Sequence, residues 1–159
     1  MPALIALLLL VLDQWTKHLI MTAENLSFGG QIEVIPGFFS IVHVRNPGAA
    51  WGILANRTGF LALLSAVVLI TLVIGFQRFV GGWTERAWAM SLIMGGIAGN
   101  LIDRVAYGAV VDFLNFTFGS YQFPAFNVAD SAICVGVTIY VVSTFLRPEG
   151  DANRPAATT

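Results

Sequence analysis

The sequence predicts an integral membrane protein, mainly α, with four transmembrane helices and β-rich connections on one side of the membrane. Two observations carry this expectation. Apolar residues make up 57% of the 159 residues and charged residues only 11%, and the mean hydropathy is +0.78. Soluble domains carry about 25% charged residues, so this chain has too little charge to coat a water-facing surface, and it is far too apolar to be disordered. The second observation is length: a hydrocarbon core about 30 Å thick requires about 20 apolar residues in a helix, and segments of that kind recur four times.

The first span covers residues 2–21. Ala3 to Leu12 is a pure Ala/Leu/Ile/Val run, after which Asp13, Gln14, Lys17 and His18 intrude. A cleaved signal peptide is the competing reading, but the segment shows neither the basic start nor the small-residue cleavage site such a leader needs. The second span, 59–79, carries no charge from Phe60 to Phe76. Residues 78–86, with Gly81 and Gly82, turn the chain into the third span, 87–102; the fourth covers 128–146. The connection 21–58 reads partly as strand. Residues 38–44 are rich in aromatic and β-branched types and are entered through Pro36–Gly37. Residues 49–54 read as a short amphipathic turn lying on the interface. The connection 105–127 holds a second strand at 110–118. Four spans alternate sides, so the two β-rich connections meet on one face. Residues 1–147 therefore form a single membrane domain that includes segments 22–58 and 105–127, and 148–159 form a loose polar tail. Lysine and arginine divide four against four between the two sides, so the positive-inside rule leaves the orientation open.

Several function classes are excluded. Eight Lys and Arg against nine Asp and Glu give a net charge of −1, with no basic footprint for nucleic acid. One cysteine, Cys134, forbids an internal disulfide, and two histidines with that cysteine make no zinc motif. No metal and no cofactor is expected.

The informative residues are the polar ones inside apolar segments, where each charge costs about 2.5 to 3.5 kcal/mol at mid-helix. All of them cluster toward the β-rich face. Asp13 and Lys17 lie one helical turn apart and can neutralise each other. Gly96, Asn100 and Asp103 or Arg104 share one face of the third span. Its glycines suit a packing seam, while an Arg104 guanidinium there, with five donors and a permanent charge, suits a carbonyl-rich peptide or a carboxylate. Asp112 sits in the apolar strand Val110-Val111-Asp112-Phe113 and reads either as an edge guard or as a reactive acid. Asn127 and Asp130 have the spacing of a helix capping box. Asp112 and Asp130 gain meaning together: two carboxylates sharing a site cannot both ionise cheaply, so one keeps a proton while the other acts as a base. Such a pair can direct water against an amide without a metal, serine or thiol.

These stretches resemble the bacterial signal peptidase II family along nearly the whole chain. The matching motifs are Leu12-Asp13-Gln14-Trp15-Thr16-Lys17, Asn46-Pro47-Gly48-Ala49-Ala50-Trp51, Gly95-Gly96-Ile97-Ala98-Gly99-Asn100-Leu101-Ile102-Asp103-Arg104, Val110-Val111-Asp112-Phe113 and Phe126-Asn127-Val128-Ala129-Asp130-Ser131. Five motifs in order at four-helix spacing are specific, although Pro47 and Ile102 depart from the residues usual there and only Met1 and Pro2 precede the apolar run that starts at Ala3. The resemblance implies a monomeric aspartyl endopeptidase of the bacterial plasma membrane. It implies both termini in the cytoplasm, a β-cradle and a short interfacial helix on the outer face, and the active site near that face. The implied substrates are prolipoproteins, cut just before a diacylglyceryl-modified cysteine; membrane lipids and globomycin-type inhibitors are the other implied partners. By motif, Asp112 and Asp130 match the catalytic dyad, Asn46, Gly96, Asn100, Arg104 and Asn127 match site-lining positions, and Asp13 and Lys17 match a supporting polar pair. A second reading from another class is a small proton-coupled transporter using the intramembrane acids.

Overall fold

The computed structural model describes residues 1–49 and 53–147. It contains α1 (Pro2–Thr22), β1 (Gln31–Ile35), β2 (Phe39–Asn46), α2 (Thr58–Ile74), α3 (Phe76–Val80), α4 (Thr84–Tyr107), β3 (Val110–Phe118), β4 (Tyr121–Gln122) and α5 (Val128–Leu146). Among the described residues, two helices, α1 and α5, are long and apolar enough to cross a membrane, and α2 is a shorter apolar helix. The expected second span is broken: Gly75 ends α2, and the chain resumes as the five-residue α3. The third runs beyond its apolar stretch at both ends, from Thr84 to the left-handed Gly108. The tail 148–159 lies outside the described residues, as does part of the amphipathic turn expected at 49–54.

The polar third helix is the central one. α4 packs against α1, α2, α3 and α5 and buries residues on several sides, among them Arg86, Ala89, Ser91, Gly96, Asn100 and Asp103. α1 buries only Asp13 and Lys17 and turns Leu4, Leu7, Leu8, Val11 and Trp15 outward. That inversion, apolar outside and polar inside, suits a lipid solvent and would be untenable in water. Lipid offers helices no hydrophobic drive to associate, so close backbone approach must supply the contact. Glycines provide it. A Cβ on Gly95 would meet the Ala6 carbonyl oxygen at 2.8 Å, one on Gly96 the Ala129 carbonyl oxygen at 2.5 Å, and one on Gly136 the Ala89 carbonyl oxygen at 2.8 Å.

At one end, buried Arg86 satisfies carbonyls that the last turn of α5 leaves free. It donates to Ser143 Oγ at 3.1 Å, to the Ser143 carbonyl at 3.3 Å and to the Arg147 carbonyl at 2.6 Å. Arg147 pairs with Glu85 at 3.0 Å and lies over the Trp83 ring.

At the other end the four strands form an open antiparallel sheet in the order β1-β2-β3-β4. The strand expected at 110–118 is β3; the one expected at 38–44 is β2, one residue later at its start and two at its end. Between Ile41↔Leu114 and Val44↔Asp112 the register shifts, so Val42 and His43 together oppose Phe113. A bulge of this kind re-aims the neighbouring side chains, and Asp112 is the next residue along. On its other side β3 is held by Phe126, whose carbonyl accepts from the Phe113 and Leu114 amides. Both flanks covered, residues 110–113 are all buried, which is why an acid there stands among apolar neighbours.

Gly136→Ala should therefore push α5 off the α4 backbone and cost about 1–3 kcal/mol, the range for overpacking. Gly59→Ala, where an added Cβ meets nothing within 4 Å, should be neutral or slightly stabilising because alanine is the better helix former. Thermal unfolding in detergent checks both, and equal midpoints would remove the close-packing argument.

Candidate active site

The site lies where α4, β2, β3 and α5 converge. Asn127, fully buried, is its pivot. As the N-cap of α5 its side-chain oxygen accepts from the Asp130 amide at 2.9 Å, and Asp130 Oδ2 accepts from the Asn127 amide at 3.3 Å, completing the capping box the sequence predicts. The Asn127 Nδ2 group donates to Asp112 Oδ1 at 2.8 Å and to Asn100 Oδ1 at 3.2 Å. One amide thus touches both the helix that carries Asp130 and the strand that carries Asp112. Asp130 Oδ1 stays outside the cap and accepts from Asn100 Nδ2 at 2.7 Å. Capping and a place in the site are compatible because they use different oxygens.

Asp112 Oδ2 accepts from Asn46 Nδ2 at 3.2 Å, and Asn46 Oδ1 in turn accepts from the Gly48 amide at 2.9 Å. Arg104 donates to the Asn100 and Gly48 carbonyls, each at 3.3 Å. Asp112 and Asp130 line one cavity of about 470 Å³, together with Asn46, Asn100, Arg104 and an apolar wall that includes Phe126 and Ile133. Burial pushes the Asp112 carboxyl up from 3.8 to about 7 and the nearby Asp130 charge pushes the same way, while hydrogen bonds from Asn46 and Asn127 and the Lys17 charge offset part of this. Asp112 is 3% exposed, so a proton near neutrality is what its surroundings favour.

Of the sequence-predicted site residues, Asp112, Asp130, Asn46, Asn100 and Arg104 meet at this cavity, and Asn127 supports it from behind. Gly96 stands apart from the cavity lining, in the seam against the Ala129 carbonyl. Asp13 and Lys17 are paired at 2.9 Å, with exposures of 0% and 1%. The sequence places Asp103 only as the alternative to Arg104 on the shared face and among the acids of the transporter reading; in the structure it pairs with Lys17 at 2.8 Å and accepts from the Val111 amide at 3.0 Å. Gln14 joins the same group by donating to Asp103 Oδ1 at 3.0 Å. The available signal is the charge sum: Lys17 inside an apolar bundle, near more acids than one lysine balances.

The family model for signal peptidase (SPase) II matches residues 5–146. Lipoprotein signal peptidases are similar along most of the chain. That of Listeria monocytogenes serotype 4b (strain CLIP80459) is 41% identical over 143 residues, covering 90% of this chain and 92% of its own. That of Syntrophotalea carbinolica is 45% identical over 143 residues, with 88% of each chain covered. Two solved bacterial membrane enzymes, determined by the in meso method, superpose with TM-scores of 0.85 and 0.81 at 36% and 39% identity; they cover 97% and 92% of this chain and 93% of each of theirs. The fold and site thus define a bacterial membrane peptidase. The chain belongs to the signal peptidase II family.

Because the Asp112 proton is held more tightly in the folded protein, at about 7 against 3.8, the native state binds more protons than the unfolded chain between those values, and its stability falls as pH rises through that window. Asp112→Asn removes this contribution. Thermal midpoints measured from pH 4 to 8 should decline more steeply for the wild type than for the variant; parallel profiles would show that Asp112 does not carry that proton.

Proposed function

We propose that this chain is a multi-pass aspartyl endopeptidase of the bacterial plasma membrane that removes signal peptides from prolipoproteins, cutting before a diacylglyceryl-modified cysteine. The observation that carries the reading is the meeting of Asp112 and Asp130 at one cavity through the shared amide of Asn127. In this reading one carboxylate takes a proton from water as the water oxygen bonds to the scissile carbonyl carbon. The other, protonated, donates to the carbonyl oxygen. Collapse of the resulting diol moves a proton to the amide nitrogen, the C–N bond breaks, and the dyad regains its single proton. Arg104 and Asn46 line the cavity and hold substrate carbonyls, and Gly96 serves the site by letting α5 approach. The reaction needs no cofactor. Globomycin-type cyclic peptides are expected to occupy the same cavity.

The substrate's two acyl chains remain in the bilayer. Each buried CH₂ contributes about 0.8 kcal/mol, so the lipid anchors the scissile bond at the interface without a deep peptide pocket. In this reading four crossings by α1, α2–α3, α4 and α5 leave both termini on one side and the sheet on the other; the family resemblance makes these the cytoplasmic and outer faces, with 1–147 as one functional unit acting as a monomer. The proton-coupled transporter draws no support from the relatives, which are named as peptidases.

Purified wild-type protein should cleave a diacylglyceryl-modified precursor and leave the unmodified precursor essentially intact. Asp130→Asn should lose at least a thousandfold in rate and still fold, because its remaining amide oxygen can accept from the Asn127 N–H and keep that half of the capping box. Asp112→Asn should lose as much, the double variant should be little worse than either, and a chelator should change nothing. Retention of most activity by Asp130→Asn would reduce that residue to a cap.

Sidedness has its own test. In a Cys134→Ala background, cysteines at Arg57 and Thr84, both exposed, should react with an impermeant maleimide from opposite sides of the membrane, with Arg57→Cys reacting from outside. Labelling of both from one side would remove the four-crossing topology.

A further inference from the structure

Lys17 is 1% exposed. It lies on α1, which contributes nothing to the cavity lining. An ammonium has three protons and no lone pair, and each proton has an acceptor: Asp13 Oδ2 at 2.9 Å, Asp103 Oδ2 at 2.8 Å and Asn100 Oδ1 at 3.0 Å. The third bond decides how the Asn100 amide is turned. Its oxygen faces Lys17 and receives a second donor from Asn127 Nδ2 at 3.2 Å; its NH₂ must then point the other way, where it meets Asp130 Oδ1 at 2.7 Å. The reversed amide would set donor against donor at Lys17 and a lone pair against the carboxylate.

We propose that Lys17 is a positioning residue for peptide cleavage: acting through the Asn100 amide, it makes Asp130 the ionised member of the dyad, which takes the proton from water, and leaves Asp112 as the member that holds a proton. This rests on the dyad reading given above.

The asymmetry between the two aspartates is in what stands behind their donors. Asp112 receives from the amides of Asn46 and Asn127, and the oxygens of both amides accept from backbone N–H groups, those of Gly48 and Asp130. Asp130 receives from an amide whose oxygen is held by a buried cation. Such an amide is polarised and is the stronger donor. Asp130 also sits in the first turn of α5, where the positive end of the helix favours an anion. The charged groups facing the site are Asp13 and Lys17 of α1, Asp103 and Arg104 of α4, and Asp112 of β3. Arg104 acts on Asp130, Asp112 and Asp103 together, and the Lys17 charge is felt by Asp112 as well as Asp130; what separates the two aspartates is the Asn100 side chain, which joins Lys17 to Asp130 by direct hydrogen bonds.

The test is the pH dependence of cleavage by the full chain in detergent, using a diacylglyceryl-modified precursor. Lys17→Met should lower kcat at least tenfold with KM within about twofold. The acidic limb of kcat should move up by about one pH unit, since Asp130 without its polarised donor ionises only at higher pH. Asn100→Leu should shift the limb the same way, and the double variant should match Asn100→Leu alone because Lys17 acts through that amide. Should Lys17→Met fail to fold, Asn100→Asp keeps Lys17 paired while presenting an oxygen to Asp130, and its limb should again move upward. An unmoved limb in Lys17→Met or Asn100→Asp, or additive losses in the double variant, overturns the relay. If these limbs do not move while Asp112→Asn and Asp130→Asn are inactive, only the relay fails; if the two aspartate variants remain active, the dyad itself fails.

Discussion

A lysine ammonium held 1% exposed inside an apolar helix bundle has to be neutralised where it stands. Asp13 supplies one carboxylate from α1 and Asp103 the other from α4. Two carboxylates around one cation then need further donors, and they draw these from the backbone: Asp13 Oδ1 accepts from the Ala129 amide at the start of α5, and Asp103 Oδ2 from the Val111 amide beside Asp112. One buried charge therefore ties α1, α4, α5 and β3 together, on the side of the two aspartates away from the cavity. The strand and the helix that carry them are each fixed within two residues of the carboxyl group. Breaking such a group by removing one member leaves an uncompensated charge in a medium that cannot solvate it, which makes the arrangement rigid.

The glycines of α4 belong to the same argument. Gly99 lies against the Asp13 carboxylate, and Gly95 and Gly96 against the backbones of α1 and α5. With a Cβ at these positions the helices would stand further apart, and hydrogen bonds of about 3 Å between side chains as short as Asp and Asn could not span the gap. The small-residue seam and the polar network are two aspects of one packing solution. Gly96 affects the site through this spacing rather than by lining the cavity.

Asp130 shows how one residue can satisfy a structural and a chemical reading together. A helix cap needs one acceptor oxygen near the N-cap amide, and Asp130 Oδ2 provides it. The second oxygen is left for Asn100 and the cavity. A capping motif in a sequence therefore argues neither for nor against chemistry at that carboxylate. What distinguishes Asp130 from an ordinary cap is a second acid lining the same cavity, which local spacing does not reveal.

The sequence by itself determined the solvent the protein lives in, the approximate helix positions, the strand at 110–118 and the cap at Asn127 and Asp130, because these follow from composition, period and short-range hydrogen bonding. Its motifs also carried the resemblance to the family. It missed the break at Gly75, where a continuous apolar run conceals the end of a helix, and it had no way to give Asp103 a partner. Only the tertiary structure brought Asp112 and Asp130 to one cavity, turned the Asn100 amide between Lys17 and Asp130, and set the bulge at Val42–His43 beside Asp112. Those features depend on contacts between residues up to 116 positions apart. A buried polar group takes whatever partner the packed helices bring within about 3 Å, and that choice is made by the packing of the whole bundle rather than by neighbours in the chain.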